Sequence, residues 1–246
     1  MIKLKILANK TDLYNNIDFL KKSVKMESPL EGVGFNIAIT KDNKFVVFSP
    51  VSDNQTTIQT IANKNLNELK SLDLLTLDYI LNIYKAEKYR FKIFLNLIPS
   101  SISITSEESL EALKNINNNY IENLLKAIAP YQDLNLYLGS ISDSLINLLK
   151  EKKSFAKLGI VLFGGNLNYS DVDFYLFGTG LLSDEIFKQQ LDLKKEVMVY
   201  VGTSNDLSLV YEHFKGEKST ALANEIFDQI LFLNDYPELF FRLFSK

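Results

Sequence analysis

The sequence predicts a closed (β/α)8 barrel, the TIM barrel, as one domain over residues 1–246. Three observations predict it. Eight short strand-like runs alternate with longer helical patterns, as in a parallel sheet wrapped by helices. Several of these runs are continuously apolar, as strands buried on both faces must be. The length of 246 residues is ordinary for one such barrel, and no linker, internal repeat or low-complexity tract divides it.

The runs are KLKILA (3–8), GVGFNIAI (32–39), FKIFLNL (91–97), LNLYL (134–138), LGIVLF (158–163), VDFYLF (172–177), VMVYV (197–201) and QILFL (229–233). The second run continues through a tight turn at Lys41 to Asn43 into a short returning strand that ends near Pro50. Between the runs, Thr105 and Glu108 form a capping box before an apolar stripe from Leu110 to Ile128, and Pro130 stops that helix. Ser183 precedes a helix through Ile186, Phe187 and Leu191, and Ser142 or Asp143 caps another through Leu145, Leu148 and Leu149. Asp235 caps the last helix, with Pro237 in its first turn. The apolar stripe of Phe240, Phe241, Leu243 and Phe244 packs that helix onto the barrel. The segment from Pro50 to Leu72 reads as irregular.

Composition narrows the function classes. With 46% hydrophobic residues and 23% charged, the chain has ample material for a core. A net charge of −3 with both signs interspersed gives no basic field for a phosphate backbone, which excludes nucleic acid as a partner. With no cysteine there are no disulfides, thiolate metal sites or thiol nucleophiles. MIKLKILANK enters a strand at once rather than forming a leader, and ILFLNDYPELFFRLF is interrupted by Asn234, Asp235, Pro237, Glu238 and Arg242. A cytoplasmic protein without a transmembrane segment is expected.

Short motifs in a fixed order resemble the glycerophosphodiester phosphodiesterase family over nearly the whole chain. GVGFNIAITKDNKFVVFSP is similar to that family's second strand and hairpin, and DNQTT (53–57) to the loop after it. NLNELKSLD (65–73) and LLTLDYIL (74–81) resemble its Leu-Thr-x-x-Glu-Leu-Lys-x-Leu and Pro-Thr-Leu-x-Glu-x-Leu segments. LYLGSISDSLINLL, EVMVYVGTSN and QILFLNDYPEL resemble its fourth strand, a Trp-Thr-Val-Asn strand and its final Thr-Asp-x-Pro. The resemblance implies a TIM barrel with reactive groups at the C-terminal strand ends.

The same resemblance implies that the reactive groups have been replaced. The histidines of the family's acid/base pair correspond to Asn9 and Ser49, and an acid that opens the first helix to Asn15. Its metal carboxylates correspond to Gly34, Asn36 and Ile98, and a strand lysine to Ser100. Divalent cations such as Ca²⁺ want several hard, mostly anionic oxygens, which glycine, an amide and isoleucine do not supply, so no metal and no cofactor are expected. The single histidine, His213, falls in a helical run on the outer layer. An inactive relative, a pseudoenzyme, is therefore expected.

Its ligand would be a small phosphate-containing molecule at the mouth, held by Lys10 with Asn9, Asn36, Ser49, Ser100, Thr203 and Asn205, unless Lys10 pairs with Asp12. A protein partner is the other expected mode of action. Two alternatives stand beside it: an active phosphodiesterase of lipid metabolism that relocates its chemistry to Asp12, Asp42 or Asp53, and a structural subunit that assembles as an oligomer.

Overall fold

The computed structural model describes residues 5–8, 30–48, 54–72, 74–86, 91–98, 107–163, 171–183, 185–193, 195–215, 229–235 and 237–244. Its strands are β1 (Lys5–Ala8), β2 (Gly32–Ile39), β3 (Phe45–Phe48), β4 (Leu75–Thr76), β5 (Lys92–Leu97), β6 (Asn135–Ser140), β7 (Lys157–Leu162), β8 (Phe174–Gly178), β9 (Glu196–Val201) and β10 (Ile230–Asn234). Eight of them are parallel, in the order β1-β10-β9-β8-β7-β6-β5-β2, and β1 pairs again with β2 through Leu7↔Gly32 and Ala8↔Val33. That last pairing closes the barrel. The eight are the predicted runs, with β6 and β10 reaching on to Ser140 and Asn234, and β8 starting at Phe174 rather than at 172.

The pleat sends alternate residues to opposite sides. One set, including Ile6, Val33, Ile37, Leu95 and Val199, packs outward against the helices in the larger core. The other fills the barrel: Leu7, Phe94, Tyr137, Val161, Phe174, Leu176, Met198, Leu231 and Leu233. Aromatic rings fill this interior where glycine makes room. A Cβ on Gly159 would lie 2.3 Å from the Phe174 ring, and one on Gly139 2.7 Å from the Phe94 ring. The two rings meet edge to face with centroids 5.9 Å apart. At Gly32 the neighbour is backbone instead: a Cβ there would lie 1.9 Å from the Lys92 carbonyl oxygen.

Strands β3 and β4 extend the sheet antiparallel from β2. The β2–β3 turn falls where the sequence places it. The Thr40 and Asn43 N–H groups donate to the carbonyls of Lys44 and Thr40, and Asn43 has a φ of 58°. Asn tolerates this left-handed conformation better than most residues.

The helices are α1 (Asn54–Asn63), α2 (Leu77–Ala86), α3 (Glu107–Ile128), α4 (Asp143–Glu151), α5 (Glu185–Asp192), α6 (Ser204–Lys215) and α7 (Pro237–Phe244). The first corrects a prediction, because most of the stretch from Pro50 to Leu72 is helical: α1 is followed by a 3-10 segment, Leu66–Leu72. Its sequence NQTTIQTIAN has weak helix propensity and little apolar character. Tertiary packing holds it, since Ile61 and Leu69 are buried with Ala38, Val46 and Phe48 beneath the hairpin.

Helix α3 ends at Ile128 and passes into a 3-10 turn containing Pro130, as predicted; the capping residue Thr105 lies outside the described residues. Ser142 occupies the N-cap position of α4 without a side-chain capping bond; its hydroxyl meets that of Ser144 at 2.9 Å. Phe240 of α7 is fully buried, its ring 4.8 Å from that of Phe232. Among the described residues no helix is long and apolar enough to cross a membrane.

Candidate functional site

A cavity of about 230 Å³ opens at the C-terminal ends of the barrel strands. Its walls are Asn36 from β2, Asn96 and Ile98 from β5 and just beyond, Phe163 after β7, and Tyr200 from β9. Phe94, Val161, Leu176 and Leu233 contribute from the barrel interior, while Phe48 of β3 and Ile58 of α1 close the hairpin side. Among the described residues the lining is largely apolar, and its polar side chains are two amides and one phenol.

Register explains the amide pair. Asn36 and Asn96 are direct partners on the parallel strands β2 and β5, and both point inward. The Asn96 Nδ2–H group donates to Asn36 Oδ1 at 2.8 Å. Asn96 Oδ1 is buried, with no hydrogen-bond partner among the described residues. Across the mouth, the Tyr200 hydroxyl donates to the Asp235 carboxylate at 3.3 Å. Asp235 therefore meets the mouth through Tyr200, a contact that reading it as a helix cap alone did not include.

The structure brings some predicted residues together and separates others. Asn36 and Ile98, two of the three degenerate metal slots, line the same cavity. Gly34, the third, is buried one inward step below, in register with Phe94. Asn9, Lys10, Ser49 and Ser100 lie outside the described residues.

Thr203 and Asn205 do not line the cavity. Thr203 forms a reciprocal cap at the start of α6: its hydroxyl donates to Asp206 Oδ2 at 2.7 Å and accepts the Asp206 N–H at 3.1 Å. Asn205 is exposed in the first turn of α6. Sequence reasoning missed Asn96, Tyr200 and Phe163. The signal for Asn96 was present, because it precedes Ile98 by two residues and so shares its strand face.

His213 sits nine residues into α6, about 14 Å of helix from its start, half-buried with its ring on Phe214. Of the three carboxylates considered for relocated catalysis, Asp12 and Asp53 lie outside the described residues. Asp42 is held in the hairpin turn, where it accepts the Thr40 hydroxyl at 2.7 Å and the Leu66 N–H at 2.9 Å. The Thr40 hydrogen bond leads the effects that hold its carboxyl below the ordinary range, against slight burial.

A carboxylate pair can relay protons or hold a cation, and an imidazole can act as general acid or base. The described lining offers neither. Among the described residues, no three of His, Cys, Asp or Glu are grouped to hold a metal ion.

No protein-family profile matches the sequence, and no curated protein sequence matches it. Solved structures do match in fold. A protein of Galdieria sulphuraria assigned as a glycerophosphodiester phosphodiesterase superposes with a TM-score of 0.71 at 14% identity, covering 100% of this chain and 99% of that one. An Oleispira antarctica phosphodiesterase in complex with the product sn-glycerol-3-phosphate gives 0.68 at 16% identity, over 98% and 97% of the two chains. A glycerophosphodiester phosphodiesterase of Parabacteroides distasonis gives 0.67 at 16%, over 99% and 98%. The chain thus has the fold of these phosphodiesterases; at such identities the likeness is one of fold.

Proposed function

We propose that the protein is a catalytically inactive relative of the glycerophosphodiester phosphodiesterases, a pseudoenzyme whose barrel mouth binds a small molecule without cleaving it. One observation carries the reading: a neutral Asn36–Asn96 amide pair occupies the strand ends at which the family resemblance puts metal carboxylates. An amide oxygen can ligate Ca²⁺, but it brings no charge to offset stripping the ion of water. The positions corresponding to the two histidines are Asn9 and Ser49, which cannot take and return a proton near neutral pH. Each such group is worth about 10²–10⁴ in rate, so their joint replacement removes the reaction rather than slowing it.

In this reading the mouth, or a protein partner, carries the function, and the phosphate-binding version assigns the anion to Lys10. The test is incubation of the purified protein with glycerophosphocholine in Ca²⁺, Mg²⁺ or Mn²⁺, beside the Oleispira antarctica phosphodiesterase. No release of sn-glycerol 3-phosphate is expected. Release that a chelator abolishes would establish the active alternative instead.

A further inference from the structure

We propose that the mouth cavity takes the hydrocarbon end of a small ligand, held between the barrel interior and the cluster beneath the hairpin. The proposal rests on the reading of the mouth as a binding site and names the chemistry that it takes.

The position of the cavity between two apolar clusters carries the argument. On one side Phe94, Leu176 and Leu233 belong to the cluster that fills the barrel; on the other, Phe48, Ile58 and Ile98 belong to the cluster beneath the hairpin. Each cluster thus turns part of its surface to the same space. A hydrocarbon placed there joins the two into one apolar interior and removes both surfaces from water.

The polar contacts of the lining run among protein groups. The Asn96 Nδ2–H group is spent on Asn36 Oδ1, Asn96 Oδ1 is buried, and the Tyr200 hydroxyl bonds the Asp235 carboxylate. No lysine or arginine lines the cavity among the described residues. A charged group entering it would give up hydration with no described countercharge to offset the loss, whereas a hydrocarbon gives up nothing.

The rim provides a fixed apolar wall. Phe163 is 61% exposed, yet its ring stands edge to face with that of Tyr200, centroids 6.0 Å apart. A Cβ on Gly178 would lie 2.7 Å from the same ring, so glycine at the end of β8 is what lets Phe163 settle there. A ring held in place and left open beside an apolar cavity gains from a hydrocarbon that covers it. The volume of about 230 Å³ is that of about eight waters at ~30 Å³ each, below the ~300 Å³ at which drug-sized sites begin, so the buried part of the ligand is small.

Three probes separate the possibilities: butan-1-ol, hexan-1-ol and sn-glycerol 3-phosphate, each titrated by ligand-observed NMR against the full chain. Each methylene buried should raise affinity about fourfold, so hexan-1-ol should bind about tenfold more tightly than butan-1-ol, and more tightly than glycerol 3-phosphate. Ile98→Trp, which fills the space, should abolish hexan-1-ol binding. Phe163→Ser, a change at an exposed position, should weaken it several-fold with the circular dichroism spectrum unchanged. Equal affinity for the two alcohols, or tighter binding of glycerol 3-phosphate, would overturn the hydrocarbon assignment and leave the mouth as a binding site. Binding of none of the three would overturn both. Hexan-1-ol affinity unchanged in either variant would overturn the placement between the two clusters.

Discussion

Lys157 at the start of β7 and Glu196 at the start of β9 form a 2.8 Å ion pair across the floor of the barrel, although β8 lies between their strands. Lys92 at the start of β5 reaches the other oxygen of Glu196, also at 2.8 Å. The Tyr137 hydroxyl bonds the same carboxylate at 3.1 Å and accepts from Lys157 at 3.0 Å. Both ammonium groups lie within 6 Å of the Tyr137 ring centre, at 5.7 Å and 4.9 Å. The N-terminal end of the barrel is therefore closed by a polar plug, and the C-terminal end opens into the apolar cavity. Such a division suits stability below and binding above.

Removing the shared carboxylate leaves two partly buried ammonium groups without their common partner. Glu196→Gln should destabilise the fold by about 1–3 kcal/mol, below the 3–5 of a fully buried pair because the side chains keep some contact with water. Urea denaturation of the two proteins measures it, and a change within error would show that the plug contributes nothing net.

The same carboxylate gives a pH dependence with a definite sign. Burial opposes charge on Glu196, but hydrogen bonds from Lys157 and Lys92 outweigh it and hold the carboxyl below its ordinary 4.5. The folded state then binds fewer protons than the unfolded state in that range, so stability rises with pH there. The contribution is fully present above the ordinary value and is lost as pH falls through the lowered one. Between pH 6 and pH 3 the wild type should lose more stability than Glu196→Gln. Parallel curves would contradict this.

Glycine positions that receive aromatic rings should resist even one methyl group. Gly159→Ala should cost about 1–3 kcal/mol by overpacking against Phe174, and a Phe174→Leu replacement in the same chain should recover part of the loss. Gly32→Ala should be worse, because its neighbour is the Lys92 carbonyl rather than a side chain that can turn. Thermal unfolding of the three variants gives the order.

Asp42 distinguishes a turn residue from a catalyst. Asp42→Ala removes the acceptor for Thr40 and for the Leu66 N–H, and should cost about 1–2 kcal/mol of stability. Its circular dichroism spectrum should stay that of the wild type, and urea denaturation of the two proteins measures the loss.

The eight barrel strands were legible because each is a short apolar run bounded by turn or helix signals, and this pattern survives without knowledge of its neighbours. The α1 helix was not legible, since NQTTIQTIAN becomes helical only through burial of Ile61 under the hairpin. Asn36 and Ile98 could be read from their motif positions, and the structure brings both to the cavity. Asn96 required the β2–β5 register in addition. Lys92, Lys157 and Glu196 could not be grouped from the sequence, because they meet only when the barrel closes and brings three strand starts to one floor. The pairing of Gly139 with Phe94 and Gly159 with Phe174 is hidden for the same reason.

The central claim is that the barrel mouth does not bind a divalent cation. Calorimetric titration of the purified protein with Ca²⁺, Mg²⁺ and Mn²⁺ tests it most directly. The account predicts no saturable binding for any of the three ions at millimolar concentration. A one-to-one isotherm of micromolar affinity that Asn36→Leu abolishes would contradict it.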